Sequence, residues 1–104
     1  MNRAGPCRVV TGMIRRRLII TGRVQGVFYR NWFVAEMHAL GVTGWVRNRA
    51  DGSVEAVIEG SDTSIAAAIA RAHHGPPAAR VADVTVRDDA PAEPLERFAK
   101  RPTA

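Results

Sequence analysis

The chain has 104 residues, of which 46% are hydrophobic and 24% charged, so one globular domain with a packed core is expected. Its net charge of +5 resides in residues 1–17, whereas residues 18–104 hold ten basic and ten acidic side chains, which argues against a nucleic-acid-binding surface. No apolar run approaches the ~20 residues of a membrane span, and the single cysteine, Cys7, favours a reducing compartment, so we expect a cytoplasmic protein.

Residues 1–12 mix glycine, proline and polar residues without a period, and hydrophobic patterning begins after Met13. We therefore expect residues 1–13 to form a disordered tail and residues 14–101 to form the domain. Translation starting at Met13 is an alternative that the sequence leaves open.

The first predicted strand runs from Arg15 to Thr21, with Leu18 and Ile20 on one face. The run Arg15 to Arg17 is expected to be solvated at the start of this strand. A helix follows, because apolar residues recur at i, i+4, i+8 and i+11 before Gly41, namely Tyr29, Phe33, Met37 and Leu40. Gly41 is the expected left-handed cap.

Two further strands, Thr43 to Asn48 and Ser53 to Glu59, flank an Asp51-Gly52 pair that is typical of a hairpin turn. Trp45 in the first of them is expected in the core. A second helix is predicted over Thr63 to His74, with its cap at Ser61 or Asp62 and with Ile65, Ile69 and Ala72 on its apolar side.

The fourth predicted strand covers Arg80 to Arg87, and Leu95 to Lys100 is a candidate for a short fifth strand at the edge. The order β-α-β-β-α-β predicts an α+β, ferredoxin-like sandwich. In it, an antiparallel sheet of four or five strands carries both helices on one face. Many functions occur on this fold, so the function has to be inferred from a site.

The loop between the first strand and the first helix is the best candidate for such a site. Gly22 and Gly26 bracket it, so successive backbone N–H groups can converge on an anion beside the helix N-terminus. Arg30 falls in the first helical turn, where its guanidinium could bind two phosphate oxygens. The alternative is an ordinary connector whose arginine is solvated.

Two segments carry a resemblance to a known family. The run VQGVFYR, residues 24–30, resembles the acylphosphatase signature V-Q-G-V-x-[FY]-R. The run GWVRNRADGSVE, residues 44–55, resembles the family's second signature, G-W-V-x-N-x-x-D-G-x-V-E. The resemblance extends over residues 15 to about 88.

This resemblance implies hydrolysis of the carboxyl–phosphate bond of a small acyl phosphate, without metal or other cofactor. It implies that Arg30 binds the phosphate together with the backbone N–H groups of Gln25, Gly26, Val27, Phe28 and Tyr29. It also implies that Asn48 orients the attacking water, and that the substrate's own phosphate accepts the proton from that water.

Several alternatives stay open from the residues alone. Asn48 could support the geometry of the Asp51-Gly52 turn. His73 and His74 lie in a last helical turn, where the helix dipole favours basic residues over a metal role. A non-catalytic anion- or RNA-binding module of the same topology is the competing function, although the third strand, SVEAVIE, lacks the aromatic residues that stack on RNA bases. We expect a monomer without a nucleic-acid or membrane partner, although an exposed edge strand also permits a dimer.

Overall fold

The computed structural model describes residues 13–88 and 97–103. Seven elements follow one another in the order β1 (Met13–Arg23), α1 (Tyr29–Leu40), β2 (Thr43–Asn48), β3 (Val54–Ser61), α2 (Asp62–His74), β4 (Arg80–Asp88) and β5 (Phe98–Lys100). The predicted ferredoxin-like order is confirmed. Residues 1–12 of the predicted tail, and the start of the predicted fifth strand at Leu95, lie outside the described residues. Met13, which was also assigned to the tail, begins β1. Neither described helix has the length and apolar character needed to cross a membrane.

The strands form one sheet in the order β4-β1-β3-β2-β5. The first four are antiparallel as predicted, but β5 pairs parallel with β2, with Phe98 opposite Gly44. The expectation of a wholly antiparallel sheet is therefore wrong at this edge. The direction of β5 follows from the topology of the sheet. Strand β4 runs opposite to β2, so β4 finishes at the end of the sheet where β2 begins. Because β5 follows β4 and starts from that same end, it runs in the same direction as β2.

Both helices pack on one face of the sheet and enclose the main core. The predicted stripe of α1 is confirmed for Tyr29, Phe33 and Met37, all of which are buried. The Ser61 hydroxyl accepts a hydrogen bond from the Ser64 backbone N–H and caps α2. The buried side of α2 contains Ala68, which was not predicted, whereas Ile69 is only partly buried.

The opposite face of the sheet carries an ion-paired layer of side chains. Arg15, expected to be solvated, is buried and contacts the Glu59 carboxylate at 2.7 Å. Arg17 and Arg47 both bind the Glu55 carboxylate. These pairs form because the register places arginines of β1 and β2 beside glutamates of β3.

Trp45 is buried, as expected, but not within the main core. It lies on the ion-paired face, where the guanidinium groups of Arg17, Arg47 and Arg101 stand 5.7, 4.8 and 4.7 Å from its ring centroid. A guanidinium group is attracted to the negatively polarised face of an indole ring, so these three cations stabilise the buried tryptophan. Strand alternation explains the placement, because Val46, the next residue, points into the main core.

Candidate active site

The loop that joins β1 to α1 depends on glycine at two positions. The register of β1 with β4 shifts between Thr21 and Gly22. Gly22 has φ +118°, and a Cβ there would lie 2.2 Å from the Arg80 carbonyl oxygen, so no other residue fits this strand end. Gly26 has φ +73°, a left-handed conformation that turns the loop towards the helix. Both glycines identified in the sequence therefore shape the loop.

The N-terminus of α1 presents unsatisfied backbone donors. Among the described residues, no backbone carbonyl accepts a hydrogen bond from the N–H groups of Gln25 to Phe28. The N-cap residue Phe28 makes no side-chain capping bond, and the first turn contains no acidic residue. The partial positive charge of the helix end is thus left without a neighbouring carboxylate, which favours an anionic ligand.

Arg30, the second residue of α1, is half-buried beside this loop. Its Nη1 donates a hydrogen bond to the Arg101 carbonyl oxygen at 3.3 Å. The Arg101 N–H in turn donates to the Val46 carbonyl at 2.8 Å, which fastens the segment after β5 to β2. A guanidinium carries five N–H donors, so this contact orients the Arg30 side chain and leaves others to bind a ligand.

Asn48 is the last residue of β2 and precedes the β2–β3 hairpin. The Oδ1 atom of its carboxamide is buried and has no hydrogen-bond partner among the described residues. A buried polar atom of this kind is costly and rare in a folded protein unless a ligand or water satisfies it. The Asn48 carboxamide oxygen is therefore an acceptor that the described residues leave unused.

The hairpin turn is stabilised by other side chains than Asn48. The Asp51 carboxylate accepts hydrogen bonds from the Ser53 hydroxyl at 2.6 Å and from the Ser53 N–H at 2.9 Å. These two bonds hold the pKa of Asp51 below its ordinary value. Arg49 and Ser53 close the turn through an N–H to carbonyl bond of 2.8 Å. In the structure, the turn-supporting role considered for Asn48 belongs to Asp51 and Ser53.

Gln25 connects the loop to the hairpin. Its Nε2 donates to the backbone carbonyls of Arg49 and Ser53, each at 2.8 Å. Because Arg49 follows Asn48 directly, this amide fixes the loop that leads to Arg30 against the strand end that carries Asn48. The sequence predicts only a backbone role for Gln25, whereas the structure shows this side-chain bridge as well.

One cavity of about 390 Å³ opens between these elements. This volume lies within the range of small-molecule sites. Five residues of the predicted site line the cavity: Gly26, Phe28, Tyr29, Arg30 and Asn48. Gln25 and Val27 are not among the lining residues, since the Gln25 side chain bridges to the hairpin and Val27 packs into the core.

Three further residues line the same cavity and were not predicted: Val24, Asn31 and Lys100. The Lys100 ammonium donates a hydrogen bond to the Asn31 side-chain oxygen at 2.9 Å and so joins β5 to α1 across the cavity. Asn31 could have been found as the residue next to Arg30 in the first helical turn. No sequence pattern indicated that Lys100 belongs to the site, because its position at the cavity depends on the parallel pairing of β5 with β2.

Tyr29 forms the inner wall of the cavity. Its side chain is only 1% exposed, and its ring stacks on Phe33 with centroids 5.8 Å apart. The hydroxyl donates to the Ala72 carbonyl at 2.7 Å, and burial raises the pKa of Tyr29 far above its ordinary value. The phenol is therefore protonated and acts as a structural donor.

Acidic and metal-binding side chains are sparse in this region. None of the eight cavity-lining residues is Asp, Glu, His or Cys. Within residues 13–88 and 97–103, no three His, Cys, Asp or Glu side chains are grouped so that they could hold a metal ion. His73 and His74 are exposed at the end of α2. The charged groups that reach the cavity are thus the cations of Arg30 and Lys100.

Comparison with known proteins places these features in context. The family model described as acylphosphatase matches residues 16–100. Acylphosphatases from Rhizorhabdus wittichii and Rhodopseudomonas palustris are 47% and 49% identical, over 86% and 82% of this chain and 90% and 91% of their own. The solved structure of an acylphosphatase from Coxiella burnetii superposes with a TM-score of 0.85 at 31% identity, covering 90% of this chain and 98% of that one.

Proposed function

The chain belongs to the acylphosphatase family, and we propose that it hydrolyses small acyl phosphates to a carboxylate and inorganic phosphate without a metal ion. One observation carries the proposal. Arg30 and Asn48 line the same cavity, together with residues at the N-terminus of α1, and the Asn48 carboxamide oxygen is buried without a hydrogen-bond partner among the described residues. A cation for the phosphate and an acceptor for a water are the two groups this reaction needs.

Arg30 binds the phosphate of the substrate in this proposal. Two guanidinium donors reach two phosphoryl oxygens, and the N–H groups of residues 25–29 supply further donors. Support comes from the unpaired N–H groups of the loop and from the absence of acid in the first turn of α1. Charge that develops on the phosphoryl oxygens in the transition state is stabilised by the same groups.

Asn48 positions the nucleophile. Its Oδ1 accepts a hydrogen bond from a water whose oxygen attacks phosphorus opposite the leaving carboxylate. The new bond joins the water oxygen to phosphorus, and the broken bond joins phosphorus to the acyl oxygen. The second water proton passes to a phosphoryl oxygen, so the products are the carboxylate and dihydrogen phosphate. The buried, unsatisfied state of Oδ1 supports this role.

The reaction requires little acid–base help from the protein, because a carboxylate is a good leaving group. Positioning and electrostatic stabilisation then account for the rate. The lining of the cavity agrees with this chemistry, since it contains two cations and no carboxylate. A carboxylate there would repel the phosphate of the substrate.

Benzoyl phosphate hydrolysis in the presence of a chelator tests the proposal. We expect Arg30→Ala and Asn48→Ala each to lower turnover by about 10²- to 10³-fold, the usual effect of removing a preorganised donor or positioning group. Arg80→Ala, which removes an exposed arginine of β4, is the matched control and should retain wild-type turnover. Wild-type hydrolysis no faster than buffer, or full activity in Arg30→Ala, would contradict the proposal.

The proposal also covers the compartment, the oligomeric state and the partners of the enzyme. We infer a cytoplasmic monomer without a nucleic-acid partner. The ion-paired face supports the last point, because the residues of β3 that point to it, Glu55, Val57 and Glu59, include two acids and no aromatic side chain. Light scattering at micromolar concentration tests the monomer. Retention on immobilised RNA at 0.15 M salt would contradict the absence of a nucleic-acid partner.

A further inference from the structure

Phe28 has an unusual backbone conformation at the entrance to the cavity. With φ 60° and ψ 25°, it is the one non-glycine residue of the described chain in the left-handed region. A side chain with a Cβ is disfavoured there, and a bulky aromatic residue lacks the local hydrogen bonds that help asparagine and aspartate. Glycine would take the same conformation without strain.

Packing does not compensate for this strain. Phe28 is 79% exposed, whereas its neighbours Val27 and Tyr29 are 8% and 1% exposed. The other exposed large hydrophobic side chains of the described residues, Met13 and Val86, reach only 42% and 40%. An aromatic ring that is both strained and exposed contributes little to folding, and residues of this kind are concentrated at binding sites.

The position of the ring suggests what it binds. The cavity lining combines the polar groups of Arg30, Asn48 and the Asn31–Lys100 pair with the apolar side chains of Val24, Phe28 and Tyr29. Val24 and Tyr29 are each 1% exposed, so Phe28 alone offers a large apolar surface to a ligand.

An acyl phosphate has a charged half and an uncharged half. If the phosphate lies on Arg30 and the α1 N-terminus, the acyl group projects towards the open side of the cavity, where Phe28 stands. We propose that the Phe28 ring is the subsite for the acyl group and selects aromatic or bulky apolar acyl phosphates over small ones. This inference rests on the proposed function and adds the substrate class to it.

Kinetics with two substrates test the subsite. The ratio of kcat/KM for benzoyl phosphate to kcat/KM for acetyl phosphate is measured in wild type, Phe28→Gly and Phe28→Leu. Loss of a ring–ring contact is expected to lower this ratio about 2- to 10-fold in Phe28→Gly. Phe28→Leu keeps an apolar side chain and the backbone strain, so its ratio should fall less.

Val86→Ala serves as the matched control, since it shortens an exposed apolar side chain on β4 that does not line the cavity. It should leave the ratio at the wild-type value. Thermal unfolding of Phe28→Gly, expected at or above the wild-type temperature because strain is relieved, verifies that the variant is folded. If Phe28→Gly is unfolded, the ratio measured in Phe28→Leu alone tests the proposal, and an unchanged ratio in that variant overturns it.

The outcomes separate the two proposals. A wild-type enzyme that hydrolyses neither substrate contradicts the proposed function itself. Activity on both substrates with an unchanged ratio in Phe28→Gly overturns only the acyl subsite. An equal loss with both substrates also overturns it, because Phe28 would then act on the phosphate-binding loop and not on the acyl group.

Discussion

The hydroxyl of Tyr29 donates a hydrogen bond to the backbone carbonyl of Ala72, 2.7 Å away, and thereby joins the start of α1 to the end of α2. In a continuing helix, the N–H of residue 76 would bind this carbonyl, but Pro76 has no N–H to donate. The phenol thus satisfies a buried acceptor that the backbone cannot. It also anchors the residue directly before Arg30.

Tyr29→Phe is expected to lower the free energy of unfolding by about 1–3 kcal/mol, because the Ala72 carbonyl is left buried and unpaired. Urea unfolding at neutral pH measures the change. Equal stability of Tyr29→Phe and wild type would show that the hydrogen bond contributes nothing net.

Gln25→Ala should reduce activity through positioning. Without the amide bridge, the loop leading to Arg30 is no longer fixed to the carbonyls of Arg49 and Ser53. Displacements of about 1 Å can cost up to ~10²-fold in rate, so we expect kcat to fall about 10- to 100-fold. Assays well below the melting temperature keep unfolding out of the measurement.

The control for this prediction is Thr21→Ala, which removes a hydroxyl that contacts the Asp83 carbonyl at 3.5 Å on the other side of β1. It should leave kcat within about twofold of wild type, as expected for a surface substitution away from the site. If Gln25→Ala lost no more activity than Thr21→Ala, the bridge would have no positioning role.

Glu55 makes stability depend on pH. Burial alone would raise the pKa of Glu55, but hydrogen bonds and charge from Arg47 and Arg17 outweigh burial and hold it below the ordinary value of 4.5. A lowered pKa in the folded state means that the carboxylate stabilises the fold above pH 4.5. This contribution is lost as the pH falls through the folded-state pKa.

Glu55→Gln should therefore destabilise the protein by about 1.5–3 kcal/mol at pH 7, the range for hydrogen bonds to charged groups. The difference from wild type should shrink progressively below pH 4.5. Urea unfolding across pH 3–7 follows it, with Asp83→Asn at the exposed β4 edge as the control. A difference that stayed constant across this range would contradict the ionic role of Glu55.

Gly44→Ala is expected to be severely destabilising. Gly44 has φ +139°, and a Cβ there would lie 1.8 Å from the Val57 carbonyl oxygen on the neighbouring strand. Backbone strain and the steric clash together should cost about 3 kcal/mol or more. The matched variant is Gly52→Ala, because Gly52 also has a positive φ but an added Cβ meets nothing within 4 Å.

Gly52→Ala isolates the conformational cost, which should be about 1–2 kcal/mol. The additional loss of unfolding free energy in Gly44→Ala, compared with Gly52→Ala, then measures the steric clash. Both values come from thermal or urea unfolding, and similar losses in the two variants would mean that the strands separate easily at Gly44.

Sequence patterns predicted the parts of this structure that depend on local physics. The period of Tyr29, Phe33 and Met37 defined α1, and the glycine-bracketed loop before a helix located Arg30. The role proposed for Asn48 came only through family resemblance, because a residue next to an Asp-Gly turn has an equally local explanation. The structure replaced that explanation with the Asp51–Ser53 contacts.

The features that were missed depend on contacts between distant strands. Arg15 and Arg17 lie among their own like charges in the sequence, and only the register of β1 with β3 brings glutamates to them. Lys100 reaches the cavity because a three-residue strand pairs parallel with β2. The sequence predicted a short strand ending at Lys100, but a strand this short has no pattern that indicates its direction or its pairing partner, so the sequence could not place Lys100 at the cavity.

The placement of Trp45 beneath the arginines, on the face of the sheet away from the helices, has a consequence for fluorescence. The chain has two tryptophans, Trp45 on the ion-paired face and Trp32 on α1, where its ring is 5.5 Å from that of Tyr29. The two indoles therefore report on opposite sides of one sheet. In a Trp45→Phe protein, the remaining emission comes from the helix that bears Arg30. Intrinsic fluorescence of that single-tryptophan protein then reports on the surroundings of Trp32 and its neighbour Tyr29 without any added label.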